Sequence, residues 1–373
     1  MAGIYIHIPF CKQACHYCDF HFSTSLQYKR QMLDALKKEI QLQKNYLLGE
    51  TIQTIYFGGG TPSILDAADI QLLIDAITGL HAVSAMAEIT LEANPDDLDK
   101  AKLQALRQTP LNRFSIGIQS FFDDDLAWMN RVHRAAEAEA AVKRAQDAGF
   151  ENITVDLIYG YPLLTDDKWK HNLNKVFELQ VPHVSSYSMT VEPQTALASF
   201  ISKKKQPAMD EQQSAAQFMM LSEAMQASGF EHYEISNFCK PDHYSKHNSN
   251  YWKGIKYLGI GPSAHSYNGE ARQWNVANNA KYMQAIELGK IAAEEEVLTE
   301  RDRLNEYIMT SLRTMWGLNL SALDGIAAAA STQLLAVAQS YFEREWIVQK
   351  DDTIFLTPTG KLYADATAAA LFF

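Results

Sequence analysis

Along the first 240 residues, some segments have the apolar pattern of strands and others have the apolar spacing of helices. The two kinds of segment alternate. Short apolar runs, typical of buried strands, are separated by longer stretches with apolar residues at helical spacing, such as Met32, Leu36 and Ile40. Strands are predicted at residues 3–8, 52–57, 88–92, 113–118, 153–158 and 184–189. Helices are predicted at 28–46, 66–80, 96–107, 135–148, 166–179 and 210–228. This alternation predicts an α/β fold built as a partial (β/α)6 barrel of the TIM type, with ligands at the carboxyl ends of the strands.

The pattern changes twice in the rest of the chain, which predicts three domains, at residues 1–240, 241–298 and 299–373. The second segment begins with a polar, aromatic and glycine-rich stretch up to about residue 270, which is interpreted as long functional loops. The third is expected to hold two or three helices and a hairpin over 346–356, with Asp351 and Asp352 at the turn. This pattern indicates a small winged-helix-like module.

The amino-acid composition and charge argue against a membrane protein and against a nucleic-acid-binding protein. Hydrophobic residues make up 47% and charged residues 21%, and no apolar run approaches the ~18 residues that span a bilayer. The formal charge of -11 disfavours nucleic acid as a partner. No signal peptide is recognised, so a cytoplasmic protein is expected, which leaves room for transient contact with a membrane surface.

Three of the four cysteines follow the first predicted strand, in a loop with the spacing C-x3-C-x2-C. Cys11, Cys15 and Cys18 could hold an iron-sulfur cluster, in which one iron would stay open to a substrate. Alternatively, they could bind zinc with His16 or His21 as the fourth ligand, or simply pack as reduced thiols. The spacing favours a metal site over the last alternative.

The string His7-Ile8-Pro9-Phe10-Cys11, continued by Cys15 and Cys18, resembles the signature of the radical S-adenosylmethionine (SAM) superfamily. It resembles in particular the branch that contains the oxygen-independent coproporphyrinogen III oxidases and the HemW haem chaperones. The resemblance implies that the three cysteines ligate a [4Fe-4S] cluster, and that the amino and carboxylate groups of SAM chelate its fourth iron.

Further motifs lie at the ends of the later strands. A glycine-rich turn follows the second strand, Glu92 ends the third and Gln119 the fourth, while Asp156 lies inside the apolar fifth strand and needs a partner. From the residues alone, Glu92 could equally support the turn at Asn94, and Arg131 could be an ordinary surface arginine. The resemblance implies that SAM is contacted by Tyr5, Gly59, Gly60, Thr61, Glu92, Gln119, Arg131 and Asp156.

Two features separate this chain from the oxidases of that branch. The oxidases carry a fourth cysteine two residues after the third, where this chain has Phe20, and a long segment ahead of the cysteines, where this chain has ten residues. In addition, the run from His247 to Trp252 resembles the HNxxYW motif of the HemW chaperones. That resemblance implies haem binding with His247 as axial ligand beside Tyr251 and Trp252; alternatively, His247 only forms hydrogen bonds within a loop.

These observations predict a haem chaperone with three cofactors: a [4Fe-4S] cluster, SAM and haem. Its expected partners are a haem-accepting protein and, as a further candidate, an electron donor. The alternative activity is that of a radical SAM coproporphyrinogen III oxidase. A third class, a zinc-stabilised interaction module, predicts a colourless protein.

Overall fold

Six parallel strands form the centre of the fold, in the order in which they occur along the chain. The computed structural model describes all residues, Met1–Phe373. The six strands are β1 (Ala2–Ile8), β2 (Ile52–Gly59), β3 (Val83–Ala93), β4 (Arg113–Gln119), β5 (Ile153–Tyr159) and β6 (His183–Ser188). Each strand pairs in parallel with the next. The six predicted strands are thus confirmed, each with somewhat different ends.

Helices connect these strands and cover one face of the sheet. They are α1 (Lys29–Leu42), α2 (Ala67–Thr78), α3 (Lys100–Leu106), α4 (Asp123–Trp128), α5 (Ala135–Asp147), α6 (Asp166–Glu178), α7 (Ala196–Ser202) and α8 (Glu211–Ala227). The six predicted helices are confirmed, and the short α4 and α7 are additional. Side-chain caps determine where several of these helices begin. Asp99, Thr165 and Asp210 each accept a hydrogen bond from a backbone N–H of the helix that follows.

The two faces of the parallel strands differ sharply in polarity. The face covered by helices is apolar and buried, for example Ile4, Phe57 and Val155. The other, inner face carries polar side chains at alternate positions of every central strand: Tyr5, His7, Thr54, Tyr56, Glu88, Glu92, Arg113, Ser115, Thr154, Asp156, His183 and Ser185. Parallel strands covered on both sides are usually apolar on both faces, so this polar inner face marks the side of the sheet that holds the functional groups.

The segment after α8 adds six strands to the same sheet. Its elements are β7 (Glu231–Glu234), β8 (Asn237–Cys239), α9 (Lys246–Trp252), β9 (Lys256–Ile260), β10 (His265–Tyr267), β11 (Ala271–Asn275), α10 (Asn279–Glu287) and β12 (Ala293–Val297). The sheet is open, in the order β12-β11-β10-β9-β1-β2-β3-β4-β5-β6-β8-β7, and β9 runs parallel to β1.

The interpretation of residues 241–270 as long loops is therefore wrong. Apolar periodicity does not predict helix α9, because its sequence, KHNSNYW, is mostly polar and contains poor helix formers. Its stability comes from contacts with the sheet, which the sequence pattern does not contain. The division of the chain at residues 240 and 298 stays a prediction.

The last 75 residues pack around a second hydrophobic core, which includes Leu304, Leu334 and Ile354. The elements are α11 (Glu300–Leu312), β13 (Leu318–Asn319), α12 (Leu320–Ile326), α13 (Ala330–Glu343), β14 (Ile347–Lys350), β15 (Thr353–Leu356) and α14 (Ala364–Ala370). The hairpin is confirmed, with Asp351 in the left-handed region at φ 52°. The module holds four helices and not two or three, because the alanine-rich α14 lacks a clear apolar stripe.

No helix of the chain has both the length and the hydrophobicity needed to cross a membrane.

Candidate functional site

A cavity of about 420 Å³ opens at the carboxyl ends of the parallel strands, where the fold predicts a ligand. Its wall contains the three clustered cysteines and seven of the eight residues predicted to contact SAM. The residues brought together are Cys11, Cys15, Cys18, Gly59, Gly60, Thr61, Glu92, Gln119, Arg131 and Asp156. We refer to this space as the cysteine cavity.

The loop that carries the cysteines accepts hydrogen bonds from two residues outside it, Thr61 just after β2 and Arg131 between α4 and α5. The hydroxyl of Thr61 donates to Sγ of Cys11 over 3.4 Å, and a guanidinium N–H of Arg131 donates to Sγ of Cys15 over 3.5 Å. Burial raises the pKa of the Cys11 thiol and raises that of Cys18 to about 12. These two thiols are therefore protonated at neutral pH unless a bound metal stabilises the thiolates.

The three cysteines line one cavity but do not converge on one point. No three histidine, cysteine or acidic side chains of the chain converge tightly enough to hold a single metal ion. The loop is consequently not a preformed site for one ion.

Gly59 and Gly60 allow β2 to pass close under the cysteine loop. Gly59 has φ 109°, and a Cβ there would lie 2.7 Å from the imidazole ring of His7. A Cβ on Gly60 would lie 2.6 Å from the carbonyl oxygen of Phe10, directly before the first cysteine. Both positions therefore require glycine, and the turn leaves its backbone exposed to the cavity.

Two half-buried carboxylates face the cavity. Glu92 accepts hydrogen bonds from the Tyr56 hydroxyl (2.8 Å) and the Gly59 amide (3.2 Å), and Asp156 accepts one from Ser115 (3.1 Å). Burial, with a contribution from Asp156, raises the pKa of Glu92 to about 7. Burial likewise raises the pKa of Asp156 to about 6. Neither carboxylate has a salt-bridge partner, so a bound cation would stabilise the charged form of both.

Arg131 supplies the positive charge of the cavity. One of its nitrogens, Nη2, donates to Asn94 Oδ1 and to the Gly117 carbonyl oxygen, both at 2.7 Å, whereas Nε is buried without a partner. A buried N–H without a partner costs about 1–3 kcal/mol, so the site gains if a ligand carboxylate accepts from it. Nearby, Gln119 has φ 69°, a strained conformation for a non-glycine residue at the end of a strand.

Tyr5 is the one predicted SAM contact that the cysteine cavity does not include. Its ring stacks on Tyr56 with centroids 6.1 Å apart, and its hydroxyl lies 3.2 Å from Nδ1 of His7. Contact between Tyr5 and SAM stays a prediction.

Four large side chains of the cavity wall were not predicted from the sequence, namely Tyr17, Phe22, Tyr187 and Met189. Tyr187 and Met189 lie at the end of β6, so the rule that ligands bind at strand ends could have identified them.

The histidine of the HNxxYW-like motif packs against the same inner face but at its other end, near the amino ends of β1 and β2. His247 is 2% exposed, and both its ring nitrogens have partners: Nδ1 lies 2.8 Å from the Thr54 hydroxyl and Nε2 lies 2.8 Å from the Tyr251 hydroxyl. Its ring stacks on Tyr56 at 4.9 Å. Iron ligation by His247 would therefore break at least one buried hydrogen bond. Its role as an axial ligand stays a prediction.

Helix α9, which carries the motif, is anchored by a buried charge pair. The Glu88 carboxylate accepts hydrogen bonds from the backbone N–H groups of Lys246 and His247, both at 3.0 Å. It also lies 3.8 Å from Nε of Arg113, which is 1% exposed. The sheet thus holds α9 through its first turn.

Trp252 points away from His247 towards the C-terminal module. The guanidinium carbon of Arg313 lies 5.1 Å from the centre of the Trp252 ring. The structure therefore places Tyr251 beside His247, but not Trp252.

Comparisons with known proteins agree with this arrangement. The family described as the radical SAM superfamily matches residues 5–176. The chain is 34% identical to the "Heme chaperone HemW" of Bacillus subtilis over 99% of both chains. It is 32% identical to the protein of that name from Mycobacterium tuberculosis, over 99% of this chain and 94% of the relative.

A solved structure, that of coproporphyrinogen III oxidase (HemN) from Escherichia coli, described as a radical SAM enzyme, has the same fold. Its TM-score is 0.86 at 24% identity, covering 100% of this chain and 90% of the oxidase. At this identity the likeness establishes the fold alone. The full-length identity to the curated relatives goes further: the chain belongs to the HemW family of the radical SAM superfamily.

Proposed function

We propose that this protein is a haem chaperone, which binds haem together with a [4Fe-4S] cluster and SAM and passes the haem to an acceptor protein. The observation that carries the proposal is the 34% identity over 99% of both chains to a relative named as a heme chaperone. An electron donor is a further partner in this proposal. We place the protein in the cytoplasm, where a reducing environment keeps the cysteine thiols available.

The cysteine cavity suits the cluster and SAM by its chemistry. In the proposal, Cys11, Cys15 and Cys18 each ligate a different iron, which fits thiols that line one cavity and do not converge on one ion. When bound, a cluster of this kind and SAM supply radical chemistry. A zinc site would require the loop to draw its thiols together.

The charged groups of the cavity have complementary roles towards SAM. Arg131 binds the ligand's carboxylate, because its guanidinium is the only basic group in the wall of the cysteine cavity. Glu92 and Asp156 bind its cationic groups or ribose hydroxyls, with Gly59, Gly60, Thr61 and Gln119 lining the same space. These charged side chains are half-buried, so water screens each interaction less than it would at the surface.

Two assays on one anaerobically reconstituted sample test the proposed function. We expect a brown protein that binds haem in a spectral titration and does not convert coproporphyrinogen III, because Phe20 stands where the oxidase branch has a fourth cysteine. Clear decarboxylation of coproporphyrinogen would refute the chaperone function in favour of the oxidase. A colourless protein that binds zinc and no haem would favour the interaction module.

The pH dependence of SAM binding provides a further prediction. Because the pKa of Glu92 is raised to about 7, its carboxylate becomes protonated as the pH falls, and a cationic ligand then loses its partner. We expect the affinity for SAM to fall about tenfold for each pH unit below 7. Glu92→Gln should weaken binding at pH 8 and flatten the profile between pH 6 and 8.

The measurement is equilibrium titration of the reconstituted protein with SAM at several pH values. Glu178→Gln serves as the control, because Glu178 is an exposed residue of α6 that pairs only with Lys175 at the surface. A profile for Glu92→Gln with the slope of the wild type would show that Glu92 does not bind the ligand's cation.

A further inference from the structure

The short helix α4 ends in a turn that leads directly to Arg131. The backbone N–H of Asn130 donates to the carbonyl oxygen of Ala127 over 3.1 Å, and that of Arg131 donates to the carbonyl oxygen of Leu126 over 2.8 Å. These two hydrogen bonds form a Schellman motif, in which a residue just past the helix adopts the left-handed conformation. Asn130 is that residue, with φ 60°. The turn therefore determines where the backbone of Arg131 lies relative to α4.

The side chain of Asn130 does more than this turn requires. A glycine would adopt the left-handed conformation more easily than asparagine and would end the helix equally well. The side chain of Asn130 instead contacts the cysteine loop: its Oδ1 accepts from Nε2 of Gln13 over 2.8 Å, and its Nδ2 donates to the carbonyl oxygen of Ala14 over 2.7 Å. Gln13 and Ala14 lie between the first two cysteines, so this side chain holds the loop in which those ligands are placed.

The cysteine loop meets the same turn at two further points. The backbone N–H of His16 donates to the carbonyl oxygen of Met129 over 3.1 Å, and Nδ1 of His16 lies 2.9 Å from the carbonyl oxygen of Trp128. Arg131 itself donates from Nη1 to Sγ of Cys15 over 3.5 Å. The loop and the turn are therefore connected from both ends of the Gln13–His16 stretch, and Asn130 supplies the side-chain part of the connection.

We propose that Asn130 is a positioning residue that couples the cluster site to the SAM site. The inference rests on the proposed function, in which the three cysteines hold the cluster and Arg131 binds the carboxylate of SAM. The side chain of Asn130 holds the cysteine loop against the turn that carries Arg131, so the two binding sites keep one relative position. Without this side chain, SAM must order the loop and Arg131 together when it binds, and its affinity falls.

The substitution Asn130→Gly tests this, because it removes the side chain and keeps the left-handed turn. The measurement is a titration of the anaerobically reconstituted, reduced protein with SAM. It is followed by the electron paramagnetic resonance spectrum of the cluster, scaled to the cluster content of each sample. We expect Asn130→Gly to need about fivefold more SAM for half of the spectral change, because two hydrogen bonds to the loop are lost.

A second variant removes part of the same contact from the loop. Gln13 is exposed, so Gln13→Ala leaves the fold intact and carries the test even if Asn130→Gly folds poorly. We expect Gln13→Ala to weaken SAM about threefold. The double variant should lose less than the product of the two factors, because both changes remove the hydrogen bond that the two side chains share.

The substitution Gln180→Gly is the matched control. Gln180 is exposed, follows α6 in the same left-handed conformation (φ 53°) and lies outside the cysteine cavity. Its replacement by glycine gives the unfolded chain the same additional freedom without touching the loop. This variant should titrate as the wild type does.

The outcomes separate this inference from the proposed function. If the wild type holds no cluster or binds no SAM, both are overturned. If the wild type binds both and Asn130→Gly and Gln13→Ala keep its midpoint, only the coupling is overturned. A lower cluster content in Asn130→Gly with an unchanged midpoint per cluster would also overturn the coupling, since Asn130 would then only stabilise the loop.

Discussion

Changing any one of Cys11, Cys15 and Cys18 to alanine is expected to abolish the cluster, whereas Cys239→Ala should keep it. The three thiols lie in one loop and line one cavity, so the loss of any one leaves an iron without its ligand. Cys239 is fully buried on β8, opposite His183, and takes no part in that cavity. Cys239→Ala should lower the free energy of unfolding by only about 1 kcal/mol, through the loss of packing.

Iron and acid-labile sulfide contents after anaerobic reconstitution measure this directly, with circular dichroism as a check on folding. Unchanged contents in Cys15→Ala would show that Cys15 is not a ligand, although it contacts Arg131. Loss of the cluster in a well-folded Cys239→Ala would place the metal elsewhere in the chain.

The central strands and the main cavity could be predicted from the sequence because both depend on local patterns. Residues that end successive parallel strands must meet at one edge of the sheet, so Glu92 and Gln119 converge on the cysteine loop. In β1, polar residues alternate with Ile4, Ile6 and Ile8. This alternation predicts which face of the strand is covered by helices.

The surroundings of His247 could not be predicted, because its partners are distant in sequence. Thr54, which bonds its Nδ1, is 193 residues away, and Glu88, which binds its backbone N–H, is 159 residues away. A motif specifies which residue types occur together, but the hydrogen bonds that occupy a side chain follow from tertiary packing.

Loss of the Glu88 carboxylate is expected to destabilise the fold more than loss of any surface charge. In Glu88→Ala, the buried Arg113 would lose its only salt-bridge partner and two backbone N–H groups of α9 would lose their acceptor. Breaking a buried pair in this way costs about 3–5 kcal/mol, and Arg113→Met in the same chain should recover part of it. Glu178→Ala is the control, since its pair with Lys175 is at the surface and is worth at most about 1 kcal/mol.

Urea unfolding followed by circular dichroism gives the free energies for the single and double variants. Equal costs for Glu88→Ala and Glu178→Ala would show that the buried pair does not hold α9.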